Sequence, residues 1–292
     1  MVTVACVGEA MVELTPDNPG RQIGFAGDVL NTAIYLARGL GPAHEVAFVS
    51  VVGQDSLSDM LAAFAEAEGV STRLLARHPT RLPGIYAIAT DPDGERSFSY
   101  WRDASAARTL FENGFGLLDG FDVVYLSGIT LAILPPAVRA GLTTALAGHP
   151  GQVVFDSNYR PRLWEDVRTA RAAMRAVWEV TDIGLPSCDD EIALWGDEDA
   201  KGVVARLRGW GVTDGALKRG PDGPIALSGA PAGPFPPAPK VVDTTAAGDS
   251  FNGAYLAARL TGGDDAAALA AGHALASRVV GLPGAIVPRE GD

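Results

Sequence analysis

Short apolar runs and amphipathic segments alternate along almost the whole chain, and this alternation limits the fold more than any other feature. The runs VTVACVG, EVAFVSVVG, FDVVYLSG and GQVVFDSN are short and rich in β-branched residues, which is typical of buried strands. Segments such as VLNTAIYLARGLG and DVRTARAAMRAVWEV carry apolar residues at helical spacing. Repeated strand–helix alternation predicts an α/β fold in which a mostly parallel sheet has helices on both faces.

Residues 82–103 interrupt this alternation. The stretch LPGIYAIATDPDGERSFSYWRD contains two alternating runs around the turn DPDG, which predicts a β-hairpin. The stretch GRQIGFAGD predicts a further strand beside it. We expect lid strands near 20–27 and 82–103, which form a small sheet over a cleft; a hairpin without a function is the alternative.

The charge balance and the cysteines exclude several classes of protein. The chain has 292 residues and a formal net charge of −12, which argues against a nucleic acid or an anionic membrane as partner. Cys6 and Cys188 are too few for a disulfide framework and wrongly spaced for a zinc site. No segment reads as a secretory signal or a membrane span. We therefore expect a soluble protein of the cytoplasm.

The stretch VVDTTAAGDSFNG, residues 241–253, places small residues at the start of a predicted helix. The first N–H groups of a helix have no acceptor within it, and the helix dipole adds partial positive charge, so such an end binds phosphate well. Ala246, Ala247 and Gly248 would let a phosphoryl group approach the backbone closely. Asp249 could accept a proton from an attacking hydroxyl group. The alternative is an ordinary capping aspartate.

Two motifs resemble the signatures of one enzyme family. DTTAAGD is similar to the C-terminal signature of the ribokinase-like (PfkB) carbohydrate kinases. AGDVLNTAIYLARGLG followed by VSVVGQD is similar to their N-terminal signature, with Gly27, Asn31, Gly53 and Asp55 at the matching places. The resemblance implies one ribokinase-like kinase domain over residues 1–292, a three-layer α/β/α sandwich with a β-sheet lid that uses ATP and Mg²⁺.

The resemblance also implies roles for the matching residues. Asp249 would be the general base, and the N–H groups of residues 246–249 would bind the transferring phosphate. Most of the family has glycine where this chain has Ala246, but a main-chain N–H is still available there. The residues expected to border the ATP are Ser187, Lys218, Gly220, Gly223, His273 and Ser277. The expected metal ligands are Asp190 for Mg²⁺, in an imperfect match to the family's Asn-x-x-Glu element, and Asp243 and Thr245 for a monovalent cation such as K⁺.

Two arginines point to the kind of sugar. In an extended strand, alternate residues from 96 to 102 share one face, so Tyr100 and Arg102 would project together. Arg160 follows the strand GQVVFDSN, at the end where open α/β sheets bind their ligands. Arginines that converge from lid and sheet suit a substrate carboxylate. The alternative is that Arg102 is a solvated charge and Arg160 a structural partner of Asp156.

Four stretches carry a closer resemblance within the family. SYWRDASAAR, LSGITLAIL, FDSNYRPRLW and VVDTTAAGDSF are similar to the members that phosphorylate the C6 hydroxyl of 2-keto-3-deoxygluconate. The residues expected to contact this sugar acid are Gly27, Asn31, Tyr86, Tyr100, Arg102, Asn158 and Arg160. A fructokinase or ribokinase of the same fold, and a non-catalytic sugar-binding protein, are the alternatives.

An exposed strand edge of the lid can pair with a strand of another copy, so we expect a homo-oligomer through the lid strands.

Overall fold

The computed structural model of the chain describes residues 1–15, 23–90 and 96–289. The strands are β1 (Thr3–Val7), β2 (Met11–Leu14), β3 (Ile23–Ala26), β4 (Glu45–Val52), β5 (Leu75–Arg77), β6 (Gly84–Thr90), β7 (Arg96–Trp101), β8 (Val123–Ser127), β9 (Gln152–Asp156), β10 (Ile183–Gly184), β11 (Asp214–Leu217) and β12 (Ile225–Ala226). The helices are α1 (Asp28–Leu40), α2 (Ser56–Ala67), α3 (Gly128–Ile133), α4 (Pro136–Ala147), α5 (Val167–Trp178), α6 (Cys188–Trp195), α7 (Ala200–Gly209), α8 (Ala247–Leu260) and α9 (Asp265–Val279). None of the described helices is long and apolar enough to cross a membrane.

The larger sheet has the strand order β12-β11-β10-β9-β8-β1-β4-β5. Its neighbours pair in parallel, except that β11 and β12 are antiparallel. The prediction of a mostly parallel sheet is thus confirmed. The chain builds outward from β1 to β4 and β5, then returns to β8 and builds in the other direction. Ligands of open α/β sheets bind beyond the carboxyl ends of the strands at such a reversal, here between β1 and β8.

Helices cover both faces of this sheet, as the continuous apolar strands require. On β1, Ala5 and Val7 belong to one buried cluster, which includes residues of α3, α4, α5, α6 and α7. Val4 and Cys6 belong to the other, which includes residues of α1, α2, α8 and α9. Because alternate side chains of a strand point to opposite faces, β1 has a core on each side.

A second sheet with the order β3-β2-β6-β7 forms the lid. Three of its strands, β3, β6 and β7, lie where the sequence predicts them. The fourth strand, β2, was not predicted, because only residues 8–10 separate it from β1 and they carry no strong turn signal. The turn DPDG and residues 20–22 lie outside the described residues.

One face of the lid lies against the start of α8. Met11, Ala26, Tyr86 and Ile88 form a buried cluster with the C-terminal segment, and Ala246 packs against this cluster. The helix end that the sequence predicts to bind phosphate therefore faces the lid.

The segment that follows α9 folds back between α1 and the loop before α8. The hydroxyl group of Tyr35 donates to Ala285 O at 2.7 Å and accepts from Val287 N at 3.1 Å. The N–H of Gly284 donates to Asp243 Oδ2 at 2.8 Å. These contacts connect the C-terminal segment to α1 and to the loop that leads into α8.

The loop before α8 ends in a residue with an unusual conformation. Ala246 lies in the left-handed region, with φ 60° and ψ 16°. A residue other than glycine adopts this conformation at a cost of about 1–2 kcal/mol. The turn is closed by the N–H of Ala247, which donates to Thr244 O at 3.2 Å, and the first helical bond runs from Ser250 N to Ala246 O at 2.8 Å.

We expect Ala246→Gly to raise the free energy of unfolding by about 1 kcal/mol, because glycine adopts the left-handed conformation without a steric penalty. For a chain of this size the melting temperature should rise by about 2 °C. The matched control is Ala247→Gly, one residue later in the helix proper, which should lower stability. Calorimetry of both variants checks this; equal or reversed effects would contradict it.

Candidate active site

The two signature motifs meet in space. Asn31, in the first turn of α1, donates through Nδ2 to Asp249 Oδ2 at 2.8 Å, and its Oδ1 accepts from Gly27 N at 3.4 Å. The helices come this close because Gly253 of α8 has no side chain: a Cβ there would lie 2.9 Å from Leu36 N. The predicted proximity of Gly27, Asn31 and Asp249 is therefore present in the structure.

The carboxyl group of Asp249 is the strongest candidate for acid–base chemistry. Burial, and next the nearby carboxylate of Asp28, raise the pKa of Asp249 to about 7, against a hydrogen bond from Asn31 that lowers it. Asp156 raises this pKa further and Lys218 lowers it. A carboxyl group with a pKa near 7 can accept a proton at neutral pH and hold it more firmly than an ordinary aspartate.

The N–H groups at the start of α8 are only partly available to an anion. Within the described residues, the N–H groups of Ala246, Gly248 and Asp249 donate to no acceptor, whereas that of Ala247 donates to Thr244 O. The turn before the helix therefore uses one of the four amides that are predicted to bind the phosphate.

Lys218 contacts two buried polar side chains beside α8. Its Nζ is 3.0 Å from Asp156 Oδ1 and 3.0 Å from Asn252 Oδ1. It is also 3.6 Å from the point that a Cβ on Gly248 would occupy. Lys218 thus places a positive charge beside the first turn of α8.

Asp28, at the start of α1, connects three elements. Its Oδ2 accepts hydrogen bonds from Ser127 Oγ, at the end of β8, and from Asn158 Nδ2 at 2.9 Å. Burial raises the pKa of Asp28, although the hydrogen bond from Ser127 and the charge of Arg102 lower it. Asn158 is thereby held against the start of α1.

Both arginines that suggest a sugar acid have carboxylate partners. Arg102 is 8% exposed and pairs with Glu9, which is 2% exposed. Arg160 is half exposed and its Nη1 is 3.1 Å from Asp190 Oδ1. The alternatives weighed from the sequence are wrong: Arg102 is not a solvated charge, and the partner of Arg160 is not Asp156.

Three buried polar atoms near the lid lack partners among the described residues. They are Glu9 Oε1, Arg102 Nε and Asn158 Oδ1. Buried polar groups in native proteins are nearly always hydrogen-bonded. Two acceptors and one donor in this region are therefore buried without a partner among the described residues.

Aromatic side chains line the inner face of the lid. The ring of Tyr86 lies 5.9 Å from that of Tyr100 and 6.5 Å from that of Phe98. The hydroxyl group of the buried Tyr86 donates to Glu13, whereas Tyr100 is 52% exposed. The predicted shared face of β7 is confirmed for Phe98 and Tyr100.

Asp190 is the predicted magnesium ligand, and it lies on α6 next to the site. Its Oδ2 accepts from Tyr159 N at 3.2 Å, and burial raises its pKa while Arg160 lowers it. Ser187 precedes the helix and donates its N–H to Ser157 Oγ at 2.9 Å. The described residues hold no group of three or more acidic, histidine or cysteine side chains that could enclose a metal ion.

The predicted nucleotide residues divide into two groups. Lys218 and Ser187 lie beside the site and form an isolated β-bridge with each other. His273 and Ser277 of α9 lie with Phe235, whose ring is 5.2 Å from that of His273. Gly223 joins this second group, since a Cβ there would lie 2.6 Å from Phe235, and Gly220 begins the short turn 220–222 that leads to it.

Asp243 and Thr245 contact each other directly. Asp243 Oδ1 accepts from Thr245 N at 3.0 Å and from Thr245 Oγ1 at 2.7 Å. Since Asp243 Oδ2 accepts from Gly284 N, the chain's own donors contact both oxygens of the predicted cation ligand.

The sequence did not identify several residues that the structure brings to the site. They are Glu9, Glu13, Asp28, Phe235 and Asn252. Glu9 could have been found from its position, since it follows the carboxyl end of the central strand β1. Asn252 could have been found by its spacing, one helical turn after Asp249.

Comparisons with known proteins agree with this geometry. The model of the pfkB family of carbohydrate kinases matches residues 1–291. The chain is 44% identical over 302 residues to the 2-dehydro-3-deoxygluconokinase of Dickeya dadantii, with 98% of this chain and 97% of that one covered. It is 42% identical over 301 residues to the enzyme of that name from Escherichia coli K12, with the same coverage.

The fold has a counterpart among solved structures. A fructokinase from Xylella fastidiosa with bound ATP superposes with a TM-score of 0.79 at 23% identity, covering 97% of this chain and 93% of that one. The ribokinase-like fold predicted from the two signatures is confirmed. The chain belongs to the pfkB family of carbohydrate kinases.

Proposed function

We propose that this kinase transfers a phosphoryl group from ATP to the C6 hydroxyl of 2-keto-3-deoxygluconate, giving 2-keto-3-deoxy-6-phosphogluconate. The observation that carries the proposal is the position of Asp249. Its carboxyl group lies beside open backbone N–H groups of α8, under a lid that contributes the buried Arg102. The relatives that bear the name 2-dehydro-3-deoxygluconokinase support the choice of substrate.

In this reaction Asp249 accepts the proton of the C6 hydroxyl while its oxygen attacks the γ-phosphorus. The bond from that phosphorus to the β–γ bridging oxygen breaks, and ADP leaves with the electron pair. The N–H groups of Gly248 and Asp249 and the ammonium group of Lys218 are placed to stabilise the charge on the transferring group. Asn31 orients the Asp249 carboxylate through its hydrogen bond.

The nucleotide fits between the two groups of predicted residues. The Phe235 and His273 rings offer stacking surfaces for adenine, and Lys218 offers a charge for the phosphates. Asp190 supplies a carboxylate of the kind that Mg²⁺ prefers, and the ion would neutralise phosphate charge when bound. Asp243 and Thr245 would contribute oxygen ligands to a K⁺ site, although both carboxylate oxygens already accept hydrogen bonds.

The substrate carboxylate fits the lid arginine. Arg102 has five N–H donors, and Glu9 pairs only with Nη2 in the described contacts. Its Nε is buried and has no partner among the described residues; in the proposed complex it would donate to the substrate carboxylate, and Asn158 Oδ1 would accept from a sugar hydroxyl group. We extend the proposal to one kinase domain over residues 1–292 and to the cytoplasm, where the two free cysteines would stay reduced.

The rival functions are a neutral-sugar kinase, such as a fructokinase or ribokinase, and a sugar-binding protein without activity. Turnover of 2-keto-3-deoxygluconate, fructose and ribose, measured on one enzyme preparation, separates them. Preference for a neutral sugar would refute the role of Arg102, and absence of turnover with all three would favour the binding protein.

Asp249→Asn should lower kcat by roughly 10²–10⁴-fold, because the general base is lost, while the Kd of the sugar acid changes little. In the wild type, kcat/KM should decrease as the pH drops below an apparent pKa of about 7, since Asp249 must be ionised to accept the proton. Steady-state kinetics and calorimetric titration measure both. The control is Asp264→Asn, which removes a plain capping aspartate at the start of α9 and should keep full activity.

Arg102→Ala should raise the KM for the sugar acid roughly tenfold to a hundredfold, because a charged hydrogen bond of about 1.5–3 kcal/mol is lost, and should leave the KM for ATP nearly unchanged. The double variant Glu9→Ala/Arg102→Ala avoids an unpaired buried carboxylate and should show the same selective change. Arg162→Ala, at an exposed arginine nearby, is the control. Equal increases in both KM values would make Arg102 structural.

We also propose that two copies pair through their lids. The edge strand β7 exposes Trp101 at 60%, on the face opposite to Tyr100. Light scattering should give twice the chain mass, and Trp101→Glu should lower the mass to that of one chain. Val167→Glu, at an exposed apolar residue of α5, should not. A wild-type mass equal to one chain would end this proposal.

A further inference from the structure

A buried triangle of polar groups lies beneath the first turn of α8. Lys218 Nζ is 3.0 Å from Asp156 Oδ1 and 3.0 Å from Asn252 Oδ1, and Asn252 Nδ2 donates to Asp156 Oδ2 at 2.7 Å. Asn252 has no exposed surface and Asp156 is 3% exposed. Each side of the triangle is therefore a direct hydrogen bond or ion pair that is screened little by water.

The triangle is fixed to the helices that carry the site. Asn252 Nδ2 also donates to the hydroxyl group of Tyr125 at 3.1 Å, which contacts Thr32 Oγ1 of α1 at 3.2 Å. Lys218 N and O pair with Pro186 and Cys188 at the start of α6. The ammonium group thus has little freedom, and it lies close to Gly248.

Burying such a pair costs free energy, and replacing it by apolar residues is often neutral or stabilising. Stability alone is therefore a weak reason for it. Its location beside both Gly248 and Asp249 suggests instead that it serves the reaction.

The charges around Asp249 come from four elements. The titratable groups that act on Asp249, or respond to it, are Asp28 and Tyr35 of α1, Tyr125 of β8, Asp156 of β9 and Lys218 after β11. Among them only Lys218 is a cation. Removing either Lys218 or Asp156 breaks the same ion pair. Loss of Lys218 makes the charge near Asp249 more negative, whereas loss of Asp156 makes it more positive.

We propose that Asp156 is a positioning residue for phosphoryl transfer: with Asn252 it holds the ammonium group of Lys218 where it faces both the base and the arriving phosphoryl group. This inference rests on the proposed function and adds to it a residue that does not touch the substrate. Asp156 sets the place of the cation, and the pair together sets the pH range in which Asp249 is ionised.

The test is the pH profile of kcat/KM for the sugar acid in Asp156→Asn and Lys218→Met. Loss of Lys218 should move the acidic limb to higher pH, and loss of Asp156 should move it to lower pH, each by roughly 1 unit, as neighbouring charges do. Both variants should lower kcat. A structural role alone would not move the limb in opposite directions.

The matched controls are Arg38→Met and Glu68→Gln, which break another partly buried ion pair at the far end of α1 and should leave the limb in place. If Asp156→Asn does not fold, the pH profiles of Lys218→Met and Lys218→Arg are compared instead. Arginine keeps the positive charge, so Lys218→Arg should leave the acidic limb at its wild-type pH. Limbs that stay fixed or move together would overturn the inference. Wild-type enzyme without turnover of the sugar acid would refute the proposed function instead.

Discussion

The close contact of α1 with α8 is the constraint on which the rest of the site depends. Gly253 leaves no room between the helices, since a Cβ there would meet Tyr35 Cβ at 2.6 Å and Thr32 O at 3.0 Å. Only at this distance can Asn31 reach Asp249, 218 residues later in the chain. The helix contact therefore joins two distant signature motifs into one site, and the lid closes over the place where they meet.

The site also explains how an acidic protein can handle anionic substrates. Asp28, Asp156 and Asp249 lie near one another, and their mutual repulsion and burial favour the protonated form of Asp249. Lys218 and Arg102 supply positive charge deep in the cleft, each already paired with a carboxylate. Local placement of a few cations, and not the net charge of −12, decides what this cleft can bind.

Much of the architecture could be predicted because it depends on local patterns. The alternation of strands and helices gave the parallel sheet, and two short motifs gave Asn31 and Asp249. Strand β2 was missed since almost no loop separates it from β1. The partners of Arg102 and Lys218 could not be predicted, because Glu9 and Asp156 lie 93 and 62 residues away and pairing across elements is decided by tertiary packing.

The left-handed conformation of Ala246 illustrates a different limit. The sequence shows that Ala246 stands where most of the family has glycine, but it does not show the backbone angles of that residue. Helical periodicity predicts where α8 lies, whereas the turn before it determines which N–H groups remain open, as the use of the Ala247 amide shows.

The C-terminal segment connects the lid, α1 and the loop before α8. Ala285 packs in the lid cluster, and its carbonyl oxygen accepts from the hydroxyl group of Tyr35. The N–H of Gly284 donates to the Asp243 carboxylate in the loop before α8. A displacement of the lid would require this segment to follow it or to lose contacts on one side. Residues 284–287 thus join the lid, α1 and the loop before α8 through one short segment.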